Sequence, residues 1–181
     1  MKKVIVLLAD GFEDVEAVTP VDYLRRAGIE VVTASISGSL VVTSRWGGIR
    51  ITADSILKEV LTENWDAVIL PGGMPGAANL ASSKETNVLL QKMSAAGKLI
   101  CAICASPAVV LTPLGLLAGK NFTCYPGLEV TDGNWLNEKT VIDGNIITSQ
   151  GAGTAGHFAI AIIETLLDKP TAQKIAKTVL L

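Results

Sequence analysis

The chain has 181 residues, 49% of them hydrophobic and 18% charged, the composition of a globular domain able to bury a full core, which excludes a disordered or low-complexity protein. The formal net charge is -2 and the basic residues are scattered, so neither nucleic acid nor an anionic membrane is expected as a partner. Three cysteines, at 101, 104 and 124, are an odd number, which argues against a secreted disulfide framework and for a reducing cytoplasm.

Apolar, β-branched residues at 4–8 predict a first strand. The Met1-Lys2-Lys3 start resembles a signal peptide only briefly, because Asp10, Glu13, Asp14 and Glu16 stand where its apolar region and cleavage site belong. A helical pattern over 13–27 closes at Gly28 and a second β-type run fills 29–34, so a parallel βαβ unit is implied. Ser37-Gly38 and Gly47-Gly48 are turn signals around hairpin segments at 40–42 and 49–52. Residues 65–70 read as a third strand ending at Pro71-Gly72-Gly73, residues 84–96 as a helix and residues 98–103 as a fourth strand. These runs lack alternation, as expected of central strands covered on both faces.

Residues 99–118 carry no formal charge and have the length of a membrane span. Ser106-Pro107 and Thr112-Pro113 interrupt them, so a buried strand followed by a buried helix is expected instead. Asp143-Gly144 between two β-branched runs predicts a hairpin over 140–148, and helices are expected at 153–167 and 171–179. No repeat or linker is visible. Residues 1–181 read as one domain, an open α/β sandwich with a mostly parallel sheet, whose ligands bind beyond the carboxyl ends of the strands.

Three carboxyl ends then share one edge: residues 9–16, Pro71-Gly72-Gly73, and Cys104-Ala105-Ser106. Cys104 ends an apolar run just before a helix-starting Ser106-Pro107 pair, the strand-to-helix turn by which a chain presents a nucleophile. The start of a helix favours the thiolate. Glu16 falls at the rim of the helical sector formed by Ala17, Pro20, Val21, Leu24 and Ala27, so its carboxyl faces inward. Such a carboxyl has a raised pKa and can donate to sulfur or shuttle a proton. Gly73 and Ala105 offer backbone N–H groups to a developing oxyanion. The bland alternatives are a solvated Glu16, a plain turn at Gly72 and Gly73, and a buried, inert Cys104.

The stretches Ala9-Asp10-Gly11-Phe12-Glu13-Asp14-Val15-Glu16, Val68-Ile69-Leu70-Pro71-Gly72-Gly73, Ala102-Ile103-Cys104-Ala105-Ser106-Pro107 and Ser149-Gln150-Gly151-Ala152-Gly153-Thr154 together resemble the ThiJ/PfpI superfamily, within it the branch of the Parkinsonism-associated deglycase. The match runs nearly end to end and in order. The resemblance implies a flavodoxin-like three-layer sandwich of the class I glutamine amidotransferase-like type, a homodimer, and Cys104 as an oxidation-prone nucleophile hydrogen-bonded to Glu16. It implies an oxyanion and substrate site drawn from Gly72, Gly73, Ala105, Arg45, Ser149 and Tyr125, with no metal and no cofactor. The implied activities are conversion of methylglyoxal or glyoxal to the hydroxy acid, repair of glycated thiols and amines, chaperone-like protection and redox sensing. Some relatives carry a label linking them to thiazole phosphate and thiamine synthesis.

Ala105 stands where the protease-like branch has a histidine, which removes a Cys–His peptidase from consideration. Tyr125 occupies a place where the deglycase branch often has histidine, and a phenol titrating near about 10 is a poor base. The sole histidine, His157, reads as an early-helix surface or interface residue, leaving proton transfer to Glu16. Cys101 and Cys104 have redox-pair spacing but are placed on a strand, where they point to opposite faces. The cysteines and His157 match no zinc ribbon or finger spacing. An aldehyde-converting enzyme and an oxidation sensor both remain open.

Overall fold

A computed structural model describes residues 1–46 and 48–181; Gly47, half of the expected Gly47-Gly48 turn, lies outside the described residues. The strands are β1 (Lys3–Leu8), β2 (Glu30–Ser35), β3 (Val41–Thr43), β4 (Arg50–Thr52), β5 (Ser55–Ile56), β6 (Ala67–Leu70), β7 (Leu99–Ile103), β8 (Asn121–Phe122), β9 (Asn134–Trp135), β10 (Thr140–Asp143) and β11 (Ile146–Ser149). The helices are α1 (Asp14–Arg26), α2 (Leu57–Val60), α3 (Gly76–Ser82), α4 (Lys84–Ala95), α5 (Ala155–Leu166) and α6 (Lys169–Thr178). Seven strands form the central sheet in the order β10-β11-β7-β6-β1-β2-β5. All its pairings are parallel except β10 with β11.

Alternation along β1 divides the core. Val4, Val6 and Leu8 face the layer of α1, α5 and α6, packing with Leu24, Phe158, Ile162 and Ile175. Ile5 and Leu7 face the opposite layer, with Leu89, Leu90 and Met93 of α4. Period-two geometry applied to the apolar run Val4–Leu8 makes this three-layer flavodoxin-like sandwich, with β6 and β7 buried along their whole length.

Three expectations need correction. Residues 99–118 do not continue β7 into a regular helix: Pro107–Leu111 is a π turn and Thr112–Leu114 a 3₁₀ turn. Pro107 and Pro113 lack the amide donors a longer helix needs, and Gly115 ends the segment at φ 69°. The 140–148 hairpin turns one residue later than expected: Asp143 pairs with Ile146, so Gly144 and Asn145 fill the turn. Asp143 is held in the strand end because its carboxylate accepts the Asn121 N–H at 2.9 Å, while Gly144 takes φ 61°. The last two helices also shift, α5 beginning after a 3₁₀ turn at Ala152–Thr154 and α6 at Lys169. Asp168 sets that second start by accepting the Thr171 N–H at 2.7 Å. Among the described residues no helix is long and apolar enough to cross a membrane.

Candidate active site

Three loops meet above the carboxyl ends of β1, β6 and β7, tied by hydrogen bonds between distant parts of the chain. The Glu13 N–H donates to Gly72 O at 3.0 Å and the Gly76 N–H to Gly11 O at 3.2 Å. The buried Ser106 hydroxyl donates to Pro71 O at 2.6 Å. Such close approach demands glycine. A Cβ on Gly73, which sits at φ 84°, would lie 2.6 Å from the Glu13 nitrogen, and one on Gly72 2.7 Å from Cys104 Cβ. The β3–β4 hairpin docks on the same region through Gly11 N–H to Thr43 O at 2.8 Å and Arg45 N–H to Phe12 O at 3.0 Å.

Cys104 stands past the last residue of β7 with φ 63°. Two backbone bonds hold it there: its own N–H donates to Ser149 O at 3.0 Å, and the Tyr125 N–H donates to Cys104 O at 2.8 Å. A side chain on a left-handed residue is the geometry of a nucleophile lifted off a sheet edge. The thiol is half-buried, whereas Cys101 and Cys124 are buried. Cys101 packs inside the sheet core, so the two members of the Cys101–Cys104 spacing occupy a strand interior and a surface turn.

Glu16, on the first turn of α1, is 1% exposed. Its Oε2 accepts the Gly72 N–H at 2.8 Å. Oε1 is buried without a partner of strict hydrogen-bond geometry, and the Cys104 thiol is the side chain that engages the carboxyl. Burial raises the Glu16 carboxyl to about 7, against the opposing pull of the Cys104 and Gly72 hydrogen bonds. Burial also pushes the Cys104 thiol up to about 12, with the Glu16 charge next, while the Gly73 and Ala105 N–H groups work against both. The lowering expected of a helix start is outweighed: the Ala105 N–H at the head of the Pro107–Leu111 turn favours the thiolate, but burial and the Glu16 charge dominate. Above about 7 the two therefore hold one proton and one negative charge between them. The thiolate form of that pair has Glu16 protonated and Gly73 and Ala105 N–H groups on the sulfur.

A pocket of about 560 Å³ opens over this pair, lined by Glu16, Gly73, Cys104 and Ala105 and walled by Arg45 and Tyr125. Two of the expected site residues do other work. Gly72 offers no N–H to an oxyanion, since Glu16 takes it. The Ser149 side chain is not part of the pocket wall: its hydroxyl donates to Lys139 O at 2.6 Å and lies 2.7 Å from Thr154 Oγ1, and its contribution is the carbonyl that fixes Cys104. His157 lies exposed on α5 and does not line the pocket. Sequence reasoning missed Trp46, Met74 and Leu128 at the mouth and Ser106 as the clamp between loops. Only Trp46 left a signal, a large aromatic beside the turn glycines.

The sequence signature of the DJ-1/PfpI family matches residues 2–165. The chain is similar to protein dj-1beta of Drosophila melanogaster, 40% identical over 184 residues, which cover 99% of this chain and 97% of that one. It is 40% identical to protein DJ-1 homolog B of Arabidopsis thaliana over 98% of its length, but spans only 41% of that longer relative. The glutathione-independent glyoxalase DJR-1.2 of Caenorhabditis elegans is 37% identical, with 90% of this chain and 87% of the relative covered. Among solved structures, oxidized Toxoplasma gondii DJ-1 superimposes with a TM-score of 0.95 at 40% identity, covering 99% of this chain and 98% of that one.

Proposed function

The chain belongs to the DJ-1/PfpI family, and from that premise we propose that it is a cysteine-dependent enzyme acting on reactive aldehydes, converting α-oxoaldehydes to 2-hydroxy acids. The observation that carries this reading is the half-buried Cys104 beside the buried Glu16 carboxyl in one pocket, with the N–H groups of Gly73 and Ala105 at the sulfur. One relative, at 37% identity, is named a glutathione-independent glyoxalase.

Every proton in the reaction has a carrier. As sulfur bonds to the aldehyde carbon, the carbonyl π bond opens to an alkoxide stabilised by the Gly73 and Ala105 N–H groups, which already reach the sulfur. Protonated Glu16 neutralises the alkoxide, giving a hemithioacetal. The Glu16 carboxylate then takes the proton from the former aldehyde carbon and returns it to the neighbouring ketone carbon, and the hydroxyl proton passes through the same carboxyl from the first oxygen to the second, leaving a thioester beside a new hydroxyl. The first carbon is oxidised by two electrons and the second reduced by two, so the chemistry is internal. Water cleaves the resulting thioester, releasing the 2-hydroxy acid and the thiol. Cys104→Ser is expected to abolish lactate formation from methylglyoxal; an unchanged rate in that variant overturns the reading.

Oxidation sensing is the second reading, favoured by the likeness to an oxidized relative and by the same N–H groups, which stabilise an oxygenated sulfur anion. Two equivalents of peroxide each transfer one oxygen to Cys104 and leave as water, giving a sulfinate. Mass spectrometry after mild peroxide is expected to find both added oxygens on Cys104; prior oxidation of Cys101 or Cys124 removes this reading.

A further inference from the structure

The mouth of the Cys104 pocket is wider and more apolar than a three-carbon substrate requires. Its volume is about 560 Å³, against on the order of 100 Å³ for an oxoaldehyde of five non-hydrogen atoms at interior packing density. Around it Trp46 is 64% exposed, Tyr125 55%, Met74 45% and Leu128 38%. Singly, exposed apolar residues call for no explanation; four gathered at one reactive thiol form a recognition surface.

Trp46 is positioned rather than loose. The Arg45 guanidinium lies 4.3 Å from the Trp46 ring centroid, and the Arg45 N–H is bonded to Phe12 O in the loop that leads into α1. Indole and phenol rings gain most from a flat apolar partner. The apolar wall continues past the pocket, since Leu128 also lines a second hollow of about 290 Å³ with Val130 and Trp135. An anionic substituent gains little here, because the pocket is lined by two carboxyls, Glu13 and Glu16, against the one Arg45 guanidinium.

We infer that the preferred substrates are aromatic α-oxoaldehydes, the ring lying against Trp46 and Tyr125 while the aldehyde carbon meets Cys104. This specificity rests on the aldehyde chemistry proposed above and adds the class of substituent. Trp46 is then a specificity-determining residue, acting on the choice between substrates.

Initial rates with phenylglyoxal and methylglyoxal test it, measured on wild type, Trp46→Ala and Trp46→Phe with Cys104→Ser as the blank. Wild type is expected to show kcat/KM about tenfold or more higher for phenylglyoxal. The phenylglyoxal-to-methylglyoxal ratio is expected to fall about fivefold or more in Trp46→Ala and to return in Trp46→Phe. Equal use of both aldehydes by wild type, or an unaltered ratio in Trp46→Ala, overturns the inference and leaves the aldehyde chemistry standing. Failure of wild type to exceed the blank with either aldehyde overturns both.

Discussion

Gly72 and Cys104 are in contact across two loops: a Cβ on Gly72 would stand 2.7 Å from Cys104 Cβ and 2.8 Å from Glu16 Oε2. The glycine both donates its N–H to the carboxyl and leaves the space in which carboxyl and thiol meet.

Gly72→Ala therefore pushes the pair apart. Overpacking of this kind costs about 1–3 kcal/mol, and urea denaturation is expected to show that loss together with a fall in aldehyde turnover. Gly153→Ala, whose added Cβ meets nothing within 4 Å, is the control, expected within about 0.5 kcal/mol of wild type.

Turnover is expected to depend on pH through the shared proton. Below about 7 Glu16 is protonated and cannot accept the thiol's proton, so kcat/KM for methylglyoxal rises as pH increases through that value. Glu16→Gln keeps an acceptor for the Gly72 N–H but cannot carry a proton. A pH series on both proteins is expected to show the rise lost in the variant and kcat/KM lower by about 10²–10⁴-fold.

Stability carries the opposite sign. The Glu16 carboxyl titrates near 4.5 ordinarily and near 7 in the fold. Its contribution is fully present below 4.5 and is lost as pH rises through 7, where the buried carboxylate forms. The displacement corresponds to about 3 kcal/mol. Chemical denaturation from pH 4 to 8 is expected to show wild type losing stability relative to Glu16→Gln over that window.

Ser106→Ala removes the 2.6 Å bond to Pro71 O and leaves a buried carbonyl unpaired. A loss of about 1–3 kcal/mol is expected, read by thermal denaturation. Turnover is expected to fall with it, because Ala105 and Gly73 belong to the two loops that this bond joins.

The sheet was legible because the runs 4–8, 67–70 and 99–103 are apolar without interruption, the second closed by Pro71 and the third by Cys104. Cys104 and Glu16 were legible for related reasons, one at a strand end and the other at the inward rim of a helix. The division of labour among Gly72, Gly73 and Ser149 was not. Which N–H meets a carboxylate and which meets sulfur is decided by tenths of an ångström between loops far apart in sequence. Trp46 and Leu128 come from residues 37–48 and 127–137, segments without the periodicity that reports on burial. The Asp143-Gly144 turn slipped by one residue because the Asp143 carboxylate answers to Asn121, a contact across the sheet edge that local turn preference does not see.

The left-handed backbone at Cys104, φ 63°, sets two selections against each other. A residue with a Cβ is disfavoured in that conformation by about 1–2 kcal/mol, and glycine is not. Randomising position 104 and enriching for heat resistance alone would drift toward glycine and yield sturdier, inert chains; enriching for survival on a toxic aldehyde would return cysteine. Thermostability and the aldehyde turnover proposed above are thus rival criteria at one codon, and an engineering campaign that seeks both must hold that position fixed while it optimises the rest.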